Sequence, residues 1–141
     1  IAADESIRRA EDPLRVRDLG AADVAVLKVQ PLGGVRRCLA IAEQLAMPVV
    51  VSSAVETSVG LREGVALAAA LAELPFDCGL ETGNLLAADV AVDPLRPAAG
   101  LLPVAPLVVA EDKREKVRAD EQAASWWMAR WERVSRLVEE R

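Results

Sequence analysis

Histidine is absent from the sequence. That excludes Ser-His-Asp and Cys-His nucleophile systems and every His-ligated metal site. A metal would have to be held by carboxylate oxygens, which favours hard ions such as Mg²⁺. Cysteine is scarce: Cys38 and Cys78 are the only two, and they have neither CxxC nor metal-ligand spacing. They read as buried thiols in a reducing compartment, so a cytoplasmic protein is expected. Long basic runs are missing and the net charge is −5, so neither nucleic acid nor an anionic membrane surface is expected as a partner. No apolar run approaches the ~20 residues of a membrane-spanning helix. No GxGxxG follows a strand pattern, which weakens a dinucleotide-binding reading.

What is present is enough for one domain with a substantial core. The chain has 141 residues, 52% of them hydrophobic and 28% charged, a globular rather than a disordered balance. The stretch from Ala22 to Gly34 is the most informative. Its apolar run, Asp23 to Lys28, reads as a strand buried on both faces. The run ends in an amine, which is costly there unless wet, paired or used. Pro31, Gly33 and Gly34 then break it.

The same pattern recurs. Ile1-Ala-Ala is a short apolar run ending at Asp4. Residues Asp12 to Leu19 form a helix, with Asp12 as N-cap, Pro13 at its first position and Gly20 as stop. Gly33 to Ala46 has helical spacing at Val35, Leu39, Ala42 and Leu45. Pro48 to Ser53 is a second buried strand, Gly60 to Leu74 a helix, and Cys78 to Leu80 a brief strand. Strand ends therefore fall at Asp4, Lys28, Ser52 and Gly79, at intervals of 24, 24 and 27 residues. Strand, loop and helix repeated at a near-constant period predict tandem βα units on a parallel sheet, either doubly wound or closed as a (β/α)₈ barrel. Four units are half of a barrel, so the expected fold is the C-terminal half of a TIM-type barrel, strands 5 to 8, over residues 1–92.

Residues 93–141 change character and read as a C-terminal extension. Four prolines between Asp93 and Pro106 rule out a central strand and predict an extended segment lying on another surface. Glu111 to Arg118 is a short charged helix. Asp120 to Glu140 is a stronger one, with Trp127, Trp131, Val134 and Val138 as an apolar stripe. Plain packing explains that stripe better than a ligand cage.

In a barrel of this type the working residues sit at the C-terminal ends of strands. Singly, each candidate has a plainer reading: Asp4 a helix cap, Ser52 and Ser53 turn formers, Lys28 the partner of a nearby carboxylate. Together they make a ring of carboxylate, amine, hydroxyls and glycine. A carboxylate-held dication stabilises an enolate formed beside a carboxylate. A lysine opposite it acts as acid or base, or stays charged and stabilises an anionic intermediate.

Four ordered stretches, IAADESIR, AVLKVQPLGG, PVVVSSAVETSVGL and CGLETGNLL, resemble the second half of the enolase-superfamily barrel, whose sites combine lysine with Mg²⁺. The likeness runs from Ile1 through Leu86 and more loosely into the tryptophan tail. Within the superfamily it is nearest to the actinobacterial dehydratases of menaquinone biosynthesis. These lyases syn-eliminate water from 2-succinyl-6-hydroxy-2,4-cyclohexadiene-1-carboxylate to give 2-succinylbenzoate. The resemblance implies that Asp4 is a metal ligand and that Lys28 stabilises the enediolate. It also implies that Ser52 and Ser53 hold the substrate carboxylate, that Gly79 and Leu80 line the pocket, and that Glu5 and Glu56 support the site from behind. The family's other two acidic ligands and its lysine pair on the second strand have no counterpart in this sequence. The chain opens on Ile1-Ala-Ala without Met and is read as a piece of a longer protein. Its expected partners are a small-molecule carboxylate substrate and the N-terminal half of the same protein, without which it is expected to be inactive. Two alternatives stand beside the dehydratase: an N-succinylamino acid racemase or related epimerase on the same fold, and a non-catalytic half-domain.

Overall fold

The computed structural model describes residues 1–139. Three parallel strands form one sheet in the order β1 (Ala2–Ala3), β2 (Val24–Leu27), β3 (Val49–Val51). Ala3 pairs with Ala25, Ala25 with Val49, and Leu27 with Val51. The connections are helical: α1 (Asp12–Asp18) between β1 and β2, then α2 (Val29–Leu32) and α3 (Val35–Leu45) before β3, and α4 (Ser58–Ala70) after it. The parallel α/β architecture expected from the repeat is therefore present.

The expected strand at Cys78–Leu80 shrinks to one parallel bridge between Ser52 and Gly79. Gly79 N–H donates to Val51 O and Ser53 N–H to Gly79 O, each at 2.9 Å. A Cβ at Gly79 would lie 3.0 Å from Ser52 Oγ, so glycine permits this approach. The helices also depart slightly from the sequence pattern. The break after Lys28 begins with the short turn α2, which accepts Pro31 because the first-turn N–H groups of a helix have no internal partner. Gly33 and Gly34, at φ 93° and 105°, then end it. Helix α4 starts at Ser58 rather than Gly60 and stops at Ala70 rather than Leu74.

The core lies between the sheet and its helices. Ala3, Ala25, Leu27, Val49 and Val51 meet Val16, Ile41, Leu45, Val65, Leu67 and Leu80 there. Burying a side chain of this size contributes about 1.5–3 kcal/mol. Cys38 is fully buried in the same layer, and burial pushes its thiol up to about 11, so it stays protonated and unreactive.

Beyond the bridge, a 3₁₀ turn (Thr82–Leu85) leads to an irregular segment, as the prolines require. This segment folds back through antiparallel bridges Ala91–Val109 and Ala98–Leu101. Lys113 Nζ clamps it by donating to Ala91 O and Val92 O at 2.7 and 2.8 Å. Helices α5 (Glu111–Lys116) and α6 (Glu121–Glu139) follow; Glu140, the expected end of the last helix, lies outside the described residues. The stripe residues of α6 are exposed, Trp131 at 68%.

Candidate active site

Side chains alternate across a strand, and the register divides the sheet into two faces. Ala3, Ala25, Leu27, Val49 and Val51 point to the helices. Asp4, Val26, Lys28, Val50 and Ser52 fall on the opposite face. Lys28 keeps an extended backbone, φ −114° and ψ 123°, so the alternation carries through it. The hydrophobic runs thus deliver a carboxylate, an amine and a hydroxyl to the C-terminal ends of neighbouring strands, on one side.

Lys28 is only 7% exposed, unusual for a lysine unless it is paired. Its Nζ lies 2.7 Å from Asp4 Oδ1 and 3.8 Å from Glu5 Oε1. Glu5 also pairs with Arg8. The buried Asp4 Oδ1 accepts no well-aligned hydrogen bond, so the lysine neutralises it by charge and leaves its lone pairs poorly satisfied. That donor chemistry fits a hard cation, with Asp4 as one oxygen ligand. Among the described residues no three Asp, Glu, His or Cys side chains cluster to complete such a site.

The other predicted residues separate. Ser52 stands on the lysine face, with its Oγ 3.2 Å from Gly79 O. Ser53 turns the other way and is buried. Its single proton can go to Gly79 O at 3.1 Å or to Thr82 Oγ1 at 2.9 Å, and Thr82 Oγ1 donates its own to Ala54 O. Ser53 therefore ties loops together. Leu80 packs under α4, where a Cβ on Gly64 would come within 2.7 Å of its Cδ2. It belongs to the core rather than beside Lys28, because it follows Gly79 by one residue on an alternating backbone. Gly79 forms the edge next to Ser52.

Glu56 joins the loops after β2 and β3. It accepts from Gln30 Nε2 at 2.8 Å and from Ala54 N–H at 2.9 Å. Burial holds its carboxyl above the usual range, and those two hydrogen bonds only partly oppose that. One anchor was not visible in the sequence. Asp89 accepts from both Ser58 N–H and Ser58 Oγ, at 2.9 and 2.7 Å, while Leu95 N–H donates to Ser58 Oγ at 2.8 Å. This knot secures the start of α4, directly after the Glu56 loop. Nothing local in the sequence marks a cap supplied from 31 residues away.

Comparison with known proteins agrees with the parallel α/β fold. The model of the enolase C-terminal domain-like family matches residues 1–107. An o-succinylbenzoate synthase from Thermobifida fusca is 63% identical over 96% of this chain and 44% of its own length. One from Mycolicibacterium smegmatis is 54% identical over 92% of this chain and 40% of its own length. The chain thus spans 40 to 44% of the length of these curated relatives. Among solved structures, a muconate lactonizing enzyme from Pseudomonas fluorescens complexed with muconolactone superposes with TM-score 0.76 and 29% identity, over 84% of this chain and 34% of that one.

Proposed function

The chain belongs to the enolase C-terminal domain-like family, and from that premise we propose that it is the C-terminal part of an o-succinylbenzoate synthase, a hydro-lyase of the cytoplasm. Residues 1–92 supply strands 5 to 8 of a (β/α)₈ barrel. Residues 93–141, with the tryptophan helix, form an extension that packs on the barrel and its capping region. The N-terminal half of the same protein supplies the rest of the metal site and the proton-moving lysine.

The observation that carries this reading is the Lys28–Asp4 pair, buried at the strand ends on the sheet face turned away from the helices. Two relatives above 50% identity, both named for the same synthase, favour dehydration over racemisation. When bound, Mg²⁺ supplies positive charge that makes removal of the proton beside the substrate carboxylate feasible. Asp4 contributes one oxygen to hold it. The Lys28 ammonium offsets the negative charge that grows as the enediolate forms, a role met by a fixed cation in a water-poor site. Ser52 places a hydroxyl beside the substrate carboxylate, and Gly79 leaves room next to it. Ser53, Glu5 and Glu56 keep the surrounding loops in position.

The test is formation of 2-succinylbenzoate by the whole protein with Mg²⁺, for wild type, Lys28→Arg and Lys28→Met. A charge role predicts that Lys28→Arg keeps measurable dehydration and Lys28→Met loses it. Equal loss in both would assign Lys28 a proton-transfer role instead. No Mg²⁺-dependent product from wild type would overturn the proposed function.

A further inference from the structure

Among the described residues, Lys28 Nζ is the only cation within ion-pair distance of Asp4. It sits against a buried side-chain oxygen that accepts no well-aligned hydrogen bond. A dication bound to that oxygen would stand beside the ammonium, and like charges so close repel strongly. The lysine has somewhere else to go. Glu5 Oε1 is 3.8 Å from Nζ, and Glu5 is already shared with Arg8. A small swing would move the amine to Glu5 or to an incoming carboxylate.

We propose that Lys28 and the divalent cation compete for Asp4 Oδ1. The ammonium neutralises Asp4 until the cation takes the oxygen, and cation binding releases the amine toward the substrate. This inference rests on Asp4 being a cation ligand, as in the proposed function. Such coupling is reciprocal: whatever the Lys28–Asp4 pair adds to the metal-free protein is subtracted from its apparent affinity for the cation. It also sets an order, with the amine becoming available for substrate only after the cation has bound.

Calorimetric titration of the chelator-stripped whole protein with Mg²⁺ tests it. Lys28→Met should bind Mg²⁺ about tenfold more tightly than wild type, within the usual range for coupled sites. Lys28→Arg, which keeps the charge, should stay within a few-fold of wild type. Thermal unfolding without metal gives a second readout, independent of binding. Lys28→Met and Asp4→Asn should each lower the melting temperature, and the double variant should fall no further than the worse single one. If wild type binds Mg²⁺ and Lys28→Met binds it no more tightly, or if the two substitutions lower the melting temperature additively, the competition is wrong and the proposed function stands. If wild type binds no Mg²⁺, both fall together.

Discussion

The two faces of one short sheet have been given different work. On β2, Ala25 and Leu27 are completely buried against the helices. Their neighbours Val26 and Lys28 face the other way, and Lys28 meets Asp4 across the strand boundary. The helix face consists of small and branched apolar side chains in close contact, and its contribution is hydrophobic. The other face places ionised and hydroxyl groups at the strand ends, where they cost folding energy unless paired or used. On the proposed function, adjacent residues therefore belong to different problems, one of stability and one of chemistry.

Changing two neighbours separates the two faces most clearly. Leu27→Ala should destabilise the whole protein by about 2–5 kcal/mol, as buried Leu→Ala changes do, with turnover per folded molecule nearly unchanged. Lys28→Met should do the reverse, lowering kcat about a thousandfold as loss of a charge-stabilising group does, with a much smaller change in unfolding free energy. Urea denaturation and steady-state kinetics on the same preparations read both quantities.

The serines offer the same contrast on a smaller scale. Ser53→Ala removes a buried hydroxyl bonded to Gly79 O and Thr82, and should cost about 1–2 kcal/mol of stability. Ser52→Ala should change stability by less than about 0.5 kcal/mol and appear instead as a raised KM for the carboxylate substrate. If both serines affected stability alone, the division between faces would not extend past the strand ends.

How much of this was legible in the sequence follows from how local each feature is. The strands, the helices between them and the period of the strand ends could be read, because apolar runs and Gly/Pro breaks are local. The pairing of Asp4 with Lys28 was reachable, since parallel strands of one period bring their ends together. The divergence of Ser52 and Ser53 was not. Two adjacent hydroxyls look alike until the register fixes which faces the helices. The place of Leu80 under α4 was hidden for the same reason, since it depends on the single bridge at Gly79. The tryptophan stripe of α6 was legible as an amphipathic pattern, but a pattern does not name the surface that covers it.

Asp89 gives the smallest effect and the one with a pH signature. Burial alone would raise its carboxyl. The hydrogen bonds from Ala91 N–H, the Ser58 hydroxyl and the Ser58 and Val90 N–H groups outweigh that and hold it below the ordinary aspartate value of 3.8. A depressed native value means that the native state resists protonation there. Its stabilising share is complete above pH 3.8 and is lost as pH falls through the depressed native value. Asp89→Asn should therefore flatten the acid limb of the stability curve and leave its slope at neutral pH unchanged. Thermal melts across the acid range measure this, and an unaltered acid limb would remove Asp89 from the account.

The claim that the lysine face is an active site is tested most directly by Asp4→Asn in the whole protein, assayed for 2-succinylbenzoate at saturating Mg²⁺ with the unfolding transition recorded alongside. Turnover should fall about a thousandfold, the scale of losing transition-state charge stabilisation, in a protein that still unfolds cooperatively. Turnover within a few-fold of wild type would contradict it.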